Sequence, residues 1–190
     1  MRTYLVTGAA GFIGANFIKY LLDKKYKNED IKVIILDALT YAGNLGTIKD
    51  DIDNKRCVFV KGDIRDRELA DKLFTENDID YLVNFAAESH VDRSIKDPFT
   101  FARTNVMGTL TLLQAAKLYW ESLPEKYDGK RFYHISTDEV YGELPLDDKN
   151  ILFTEKTPLN PSSPYSASKA SADMLVKSYY RTYSLPITIS

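Results

Sequence analysis

Five short apolar runs, separated by stretches of helical periodicity, constrain the fold of this chain more than any other feature. The runs occupy residues 4–7, 33–36, 58–60, 81–84 and 132–135, and polar residues rarely interrupt them. Strands of a parallel sheet that is covered on both faces have this nearly continuous apolar character. Helices between such strands make right-handed crossovers. The alternation therefore predicts an α/β domain with a doubly wound parallel sheet.

The helical periodicity is clearest in four places. Six apolar residues of the first segment are spaced to line one face of a helix: Phe12, Ile13, Phe17, Ile18, Leu21 and Leu22. Leu69, Leu73 and Phe74 predict a shorter helix. A long helix is expected over about residues 98–119, and another begins near Pro164. Residues 143–162 are rich in Pro, Asp, Lys and Asn without periodicity, which predicts a surface loop or lid beside the site.

Composition excludes several classes of protein. A net charge of -2 provides no basic field for nucleic acid and no polybasic membrane signal. The single cysteine, Cys57, rules out an internal disulfide and is expected in a buried strand. No apolar stretch approaches the length of a membrane span, and no group of His, Cys and acidic residues has metal-ligand spacing. We expect a cytoplasmic protein that binds no metal, nucleic acid or membrane.

The 190 residues are enough for a single buried core, so residues 1–190 are expected to form one domain. Residues 185–190 resemble the opening of a sixth strand, in which the chain stops. A parallel strand that stops at its start lacks the polar flank that usually ends a domain. We therefore expect the chain to be truncated.

Three glycines stand where the first strand is expected to turn into the first helix. Gly8, Gly11 and Gly14 form the pattern Gly-x-x-Gly-x-x-Gly. Glycines at such a junction permit a tight turn and let backbone N–H groups approach a pyrophosphate, which the helix N-terminus stabilises. The position between strand and helix favours a dinucleotide site over a glycine turn that binds no ligand.

Two aspartates follow the second and third predicted strands. Asp37 closes the second strand, where an acidic side chain receives the ribose hydroxyls of adenosine. Its charge would repel a 2′-phosphate, and Ala38 rather than an arginine follows, so the sequence favours NAD over NADP. Asp63 follows the third strand and is expected either to hydrogen-bond the adenine or to cap the next helix.

Tyr165 and Lys169 are four residues apart, at the start of the helix that begins near Pro164. Ser163 is a suitable N-cap and Pro164 suits the first helical position. The two side chains then share one helix face. An ammonium group near the tyrosine stabilises its phenolate, so we expect Lys169 to lower the pKa of Tyr165.

The acid pair Asp138-Glu139 follows the fifth predicted strand. Two adjacent carboxylates in a cleft can divide proton transfer, with one protonated and the other ionised. Taken alone, the pair would more often belong to a surface loop. Its position after a nucleotide motif and near Tyr165 and Lys169 favours a catalytic role.

Taken together, these motifs resemble the extended short-chain dehydrogenase/reductase superfamily. The resemblance is carried by the three glycines, by residues 84–87 (NFAA) and by the pair Tyr165 and Lys169. Within that superfamily, the chain resembles the dTDP-glucose 4,6-dehydratase family over essentially its whole length. The segments that carry this likeness are residues 39–44 (LTYAGN), 86–94 (AAESHVDRS) and 136–142 (STDEVYG).

This resemblance implies a reaction on a nucleotide sugar. Tyr165, assisted by Lys169, takes the proton of the 4-hydroxyl while a hydride passes from carbon 4 to NAD. Glu139 then removes the proton on carbon 5, and Asp138 protonates the departing 6-hydroxyl. The hydride returns to carbon 6, which gives a 4-keto-6-deoxy sugar. Thr137 matches a hydroxyl that hydrogen-bonds the substrate 4-oxygen.

The resemblance also implies a full set of binding residues. Cofactor contacts are expected from Gly8, Gly11, Phe12, Ile13, Gly14, Asp37, Thr40, Asp63, Ile64, Phe85, Ala86, Ala87, Ser89, Thr104, Tyr165 and Lys169. Substrate contacts are expected from Ser89, Thr137, Asp138, Glu139 and Tyr165. His90 is as compatible with a structural hydrogen bond as with a ligand contact, and His134 is expected in the core.

The resemblance implies a smaller C-terminal domain that binds the nucleotide, and we expect that domain to be missing from the truncated chain. The likeness favours thymidine over uridine diphosphate glucose, and it implies a homodimer packed through the two long helices. Two alternatives remain from the residues themselves. One is an NAD-dependent sugar-nucleotide epimerase or decarboxylase, for which the acid pair is unusual; the other is a non-catalytic NAD-binding fragment.

Overall fold

A computed structural model describes residues 1–25, 30–145, 147 and 150–190, with residues 24 and 25 described by their backbone alone. The strands are β1 (Arg2–Thr7), β2 (Ile31–Asp37), β3 (Val58–Lys61), β4 (Tyr81–Asn84), β5 (Arg131–His134) and β6 (Ile187–Ile189). The α-helices are α1 (Phe12–Tyr20), α2 (Lys49–Asp53), α3 (Arg67–Asn77), α4 (Val91–Lys96), α5 (Pro98–Phe101), α6 (Thr109–Ser122) and α7 (Pro164–Tyr183). π-Helical turns extend α1 (Leu21–Lys25) and join α5 to α6 (Ala102–Gly108).

The six strands form one sheet in the order β3-β2-β1-β4-β5-β6, and every pairing is parallel. The order runs outward in both directions from β1 and β4, so the predicted doubly wound sheet is confirmed. Thr7 of β1 aligns with Asn84 of β4, and Asn84 aligns with His134 of β5. The carboxyl ends of the central strands therefore lie side by side at one edge of the sheet.

Alternate residues of the central strands enter two separate cores. Leu5, Leu82 and Phe132 pack on the face covered by α3, α6 and α7. Tyr4 and Val6 pack on the opposite face, against α1. Each face buries one apolar layer, which is why these strands carry apolar residues at successive positions.

The predicted apolar face of α1 is wrong at its first two residues. Ile18, Leu21 and Leu22 are buried, but Phe12 is 85% exposed and Ile13 is 63% exposed. The first turn of α1 extends past the carboxyl edge of the sheet, so its side chains border the cleft described below instead of the core.

Three further features of the structure concern Cys57, the predicted loop and the length of the helices. Cys57 is buried as expected, but it precedes β3 rather than lying in it. Over residues 143–162 the described part contains no helix or strand, while residues 146, 148 and 149 of the predicted loop lie outside the described residues. No helix in the described ranges is both long and apolar enough to cross a membrane.

Candidate active site

A cleft of about 540 Å³ lies at the carboxyl edge of the sheet, between the ends of β1, β2, β4 and β5. It is lined by all sixteen residues that were predicted to contact a cofactor: Gly8, Gly11, Phe12, Ile13, Gly14, Asp37, Thr40, Asp63, Ile64, Phe85, Ala86, Ala87, Ser89, Thr104, Tyr165 and Lys169. The fold therefore brings together residues separated by up to 161 positions in the chain. In open α/β sheets, ligands bind at this edge, where the strand order reverses.

The turn after β1 leaves no room for side chains at two of its glycines. Gly8 has a φ of +67°, and a Cβ added there would lie 2.5 Å from the backbone nitrogen of Ala86. A Cβ on Gly14 would lie 2.5 Å from the carbonyl oxygen of Gly8. Gly11 caps α1 without a side chain, so the first N–H groups of the helix face the cleft uncapped. This geometry suits a pyrophosphate, which binds backbone N–H groups at a helix N-terminus.

Asp37 ties the glycine turn to the end of β2. One carboxylate oxygen accepts the N–H of Ala10 at 2.9 Å, and the other accepts the N–H of Leu39 at 2.8 Å. The side chain is buried yet lines the cleft. Each carboxylate oxygen can accept a second hydrogen bond, so the group can also receive ribose hydroxyls.

Asp63 also lines the cleft, but the alternative that it caps the next helix is wrong. Asp66 is the N-cap of α3, and its side chain accepts the N–H of Leu69. Asp63 instead accepts hydrogen bonds from the backbone and the guanidinium of Arg65, which lower the pKa of its carboxyl. The ionised Asp63 therefore holds Arg65 against the cleft wall.

The start of α7 is fixed by a reciprocal cap. The Ser163 hydroxyl accepts the N–H of Ser166, and the Ser166 hydroxyl accepts the N–H of Ser163, both at 3.0 Å. Pro164 occupies the first helical position, as predicted. This cap holds Tyr165 in the first turn, where its side chain is buried against the edge of Phe101.

Lys169 lies one turn after Tyr165 and is 5% exposed. Its ammonium donates a 2.5 Å hydrogen bond to the carbonyl oxygen of Ile135, just beyond the end of β5. Burial lowers the pKa of the ammonium to about 8, because the charged form loses its hydration. The lysine is therefore anchored to the strand end while still lining the cleft.

The expectation that Lys169 lowers the pKa of Tyr165 does not match the structure. The pKa of Tyr165 is raised, chiefly by burial and also by the negative charges of Glu139 and Asp138. A hydrogen bond with Thr137 acts in the opposite direction. The phenol is thus protonated at neutral pH in this arrangement, and the Thr137 hydroxyl is the group that favours its ionised form.

The acid pair lies on a 3-10 turn, Asp138–Tyr141, directly after β5. Both carboxylates are exposed, so they do not carry the cost of burial that a cleft interior would impose. Thr137 caps this turn, and its hydroxyl accepts the N–H of Glu139. The pair stands outside the cleft lining but close enough to Tyr165 for both charges to act on its hydroxyl.

Several residues of the cleft were missed from the sequence. They are Leu36, Ala38, Ala42, Gly43, Gly62, Arg65, Glu88, Thr100, Ile135 and Ser136. Ala42, Gly43, Glu88 and Ser136 lie inside segments already noted for their family likeness, which was the available signal. Arg65 and Thr100 had no sequence signal, since only folding brings the turn before α3 and the helix α5 to the cleft.

A glycine turn at the edge of a parallel sheet, facing a helix that begins with Tyr-x-x-x-Lys, is the arrangement of short-chain dehydrogenases/reductases, and this chain belongs to that class. Within the class, the family described as GDP-mannose 4,6 dehydratase matches residues 5–190, and the chain belongs to it.

Three comparisons narrow the relationship. A dTDP-glucose 4,6-dehydratase of Xanthomonas campestris is 53% identical over 98% of this chain and 51% of its own length. The crystal structure of a dTDP-glucose 4,6-dehydratase from Streptomyces venezuelae with NAD bound has a TM-score of 0.85 and 45% identity, over 98% of this chain and 54% of that one. A UDP-glucose 4-epimerase from Thermus thermophilus has a TM-score of 0.81 and 30% identity, over 98% of this chain and 53% of that one.

The motif-based resemblance to dTDP-glucose 4,6-dehydratases is thereby confirmed. The chain spans about half the length of the curated relatives that it matches.

Proposed function

We propose that this chain forms the NAD-binding and catalytic part of a nucleoside-diphosphate-glucose 4,6-dehydratase, with dTDP-glucose as substrate. The observation that carries the proposal is the position of the acid pair. Asp138 and Glu139 lie close enough to Tyr165 to act on its pKa, at the end of a cleft lined by the glycine turn. Elimination of water needs one group to give a proton and another to take one, whereas epimerisation does not need this pair.

The cleft fits NAD in three respects. The glycine turn and the uncapped start of α1 suit the pyrophosphate, and Asp37 suits the adenosine ribose. Dehydratases from Bacillus anthracis and Streptomyces venezuelae, both similar to this chain, were crystallised with NAD. When bound, NAD would accept a hydride from carbon 4 of the sugar and return it to carbon 6.

The chain's own residues would move the protons. Tyr165 would take the proton of the 4-hydroxyl in its phenolate form, which its hydrogen bond with Thr137 favours. Glu139 removes the proton on carbon 5, whose acidity the 4-ketone increases. Asp138 would protonate the departing 6-hydroxyl, and both carboxylates are exposed on adjacent residues of one short turn.

We also propose a homodimer formed through α6 and α7. The two helices pack on each other, and the Lys117 ammonium stands 4.5 Å from the centroid of the Tyr183 ring. Leu118, Met174 and Tyr180 remain exposed on these helices. Apolar side chains that stay exposed on two packed helices can contribute to an interface between subunits.

A product assay tests the proposed function. The 190-residue chain and the longest polypeptide that carries it are each incubated with NAD and dTDP-glucose, and with UDP-glucose in parallel. We expect the longer polypeptide to release a 4-keto-6-deoxy sugar from dTDP-glucose, and the short chain to bind NAD with little turnover. An epimerised sugar would support the epimerase alternative, and NAD binding without product from either polypeptide would support a non-catalytic module.

A further inference from the structure

Behind the cleft, a buried row of polar side chains crosses the sheet from β1 to β5. The Thr7 hydroxyl accepts the N–H of Ala86 and donates to the amide oxygen of Asn84 at 2.6 Å. The amide nitrogen of Asn84 lies 3.3 Å from Nδ1 of His134. Thr7, Asn84 and His134 are register partners on adjacent strands, and all three are buried.

This row determines which nitrogen of His134 carries a proton. Because the amide oxygen of Asn84 accepts from Thr7, its amide nitrogen faces His134, and Nδ1 acts as the acceptor. Burial lowers the pKa of His134, so the ring is neutral. A neutral imidazole with an unprotonated Nδ1 carries its proton on Nε2. Nε2 faces Oδ1 of Asp173 at 3.4 Å, and neither atom has a hydrogen-bond partner elsewhere in the described ranges.

Asp173 lies on α7 one turn after Lys169, and both residues hold the end of β5. The Ser136 hydroxyl donates to Oδ2 of Asp173 at 2.5 Å, and Lys169 donates to the carbonyl of Ile135 at the same distance. Two consecutive turns of α7 thus bind Ile135 and Ser136, the two residues that follow β5. The next residue, Thr137, starts the turn that carries the acid pair.

The charge of Asp173 also acts on Lys169. Asp173 is 3% exposed, and its carboxylate favours the ammonium form of Lys169, whereas burial disfavours it. Other titratable groups on or beside this part of α7 include the neutral His134 on β5, Tyr165 one turn earlier and the exposed Lys177 one turn after Asp173. From the turn after β5, Asp138 and Glu139 act on Tyr165.

We propose that Asp173 is a positioning residue for the reaction inferred above. It holds Ser136, and thereby positions Thr137, Asp138 and Glu139 against Tyr165. Its buried negative charge is also the counter-charge of Lys169. The inference rests on the proposed function for its catalytic consequence, but its structural part is independent of any substrate.

The structural part is tested in the 190-residue chain by NMR titration of side-chain-labelled lysines, with the Lys169 signal assigned from Lys169→Arg. Asp173→Asn keeps an acceptor for Ser136 but removes the charge, so we expect the pKa of Lys169 to fall by at least one pH unit. Val176→Ala, at a fully buried position of the same helix, loses packing without touching the network and should leave that pKa unchanged. An equal pKa in Asp173→Asn and the unmodified chain would overturn the proposal.

The catalytic consequence is tested by kinetics on the longest polypeptide that carries the chain. In Asp173→Asn, the fall of activity at alkaline pH that follows deprotonation of Lys169 should move to lower pH, with a loss in kcat/KM of at least about fivefold at pH 8. Ser136→Ala keeps the charge, so it should keep the alkaline decline but slow water elimination relative to reduction of the bound NAD. Val176→Ala should lower only the melting temperature.

Identical pH profiles for Asp173→Asn and Val176→Ala would contradict the positioning role. If Asp173→Asn fails to fold, Asp173→Glu is the second variant, because it retains the charge but displaces it. It should keep the alkaline decline of kcat/KM and lose water elimination. Retention of both would also contradict the role. If the unmodified enzyme forms no product, the proposed function fails, and the NMR titration still decides whether Asp173 is the counter-charge of Lys169.

Discussion

The backbone N–H of Ala10 donates a 2.9 Å hydrogen bond to the buried carboxylate of Asp37. A single side chain at the end of β2 thereby holds the glycine turn that follows β1. The same carboxylate faces the cleft, so the group that is expected to select the cofactor also shapes the loop that binds it.

Asp37→Ala is therefore expected to affect binding and folding together. The Ala10 and Leu39 N–H groups lose their acceptor, which we expect to cost about 1–3 kcal/mol of folding free energy. NAD affinity should fall at least tenfold, and the preference for NAD over NADP should shrink because the repulsion of a 2′-phosphate is gone. Calorimetric titration with both dinucleotides measures this, with the exposed Asp50→Ala as control. Unchanged discrimination would mean that Asp37 does not select the cofactor.

Gly8→Ala tests the close approach of β1 and β4. The added methyl would meet the backbone at Ala86, and the residue has a positive φ, so we expect a loss of about 2–4 kcal/mol. Gly129→Ala is a matched control, because Gly129 has a φ of +68° and nothing lies within 4 Å of its added Cβ. The control should lose only about 1 kcal/mol in urea unfolding. Equal losses would show that strain at φ, and not the approach of the two strands, explains Gly8.

The lowered pKa of Lys169 predicts a specific pH dependence of the free energy of unfolding. In the unfolded chain this lysine keeps its proton up to the ordinary pKa of 10.5, whereas in the fold it loses the proton near pH 8. Between these values the unfolded state binds more protons, so Lys169 makes the free energy of unfolding rise with pH, by about 3 kcal/mol in all. Urea unfolding from pH 7 to pH 10 should show this contribution, and Lys169→Met should remove it. A variant that keeps the original slope would refute the prediction.

Glu139→Gln separates the two halves of the proposed reaction. In the longest polypeptide that carries this chain, the variant should still reduce its bound NAD transiently on mixing with dTDP-glucose, because oxidation at carbon 4 uses Tyr165. It should release little product, with a loss of about 100-fold or more, since proton removal by a positioned base contributes about that much. Absorbance of the reduced nicotinamide follows the first step. Glu143→Gln, an exposed carboxylate four residues later, is the control and should behave like the unmodified enzyme.

If Glu139→Gln also abolished the transient reduction, the assignment of Glu139 to the second step would be wrong. The acid pair would then act on oxidation, through the field that both carboxylates exert on Tyr165.

Most of the elements could be predicted because their signals are local. The five apolar runs identified β1 to β5, residues 185–190 indicated β6, and Ser163 with Pro164 marked the start of α7. Asp63 shows the limit of such reasoning. An aspartate after a strand suits a ligand or a cap equally well, and only the position of α3, which begins after Asp66, decides against the cap.

The exposure of Phe12 and Ile13 shows the same limit on a larger scale. Periodicity predicts which residues share a helix face, but it does not predict where the supporting sheet ends. The first turn of α1 passes that edge, so an apolar pattern that suggests a core borders an open cleft instead.

The sequence by itself determined the doubly wound sheet, the family and sixteen of the residues that line the cleft, because strand periodicity and short motifs are properties of neighbouring residues. Only the tertiary structure decided the electrostatics. It directs the Lys169 ammonium to Ile135, raises the pKa of Tyr165, leaves the acid pair exposed and buries Asp173 against Ser136. Charge interactions depend on burial and on distances between groups from different elements, and those are set when β5 and α7 pack together.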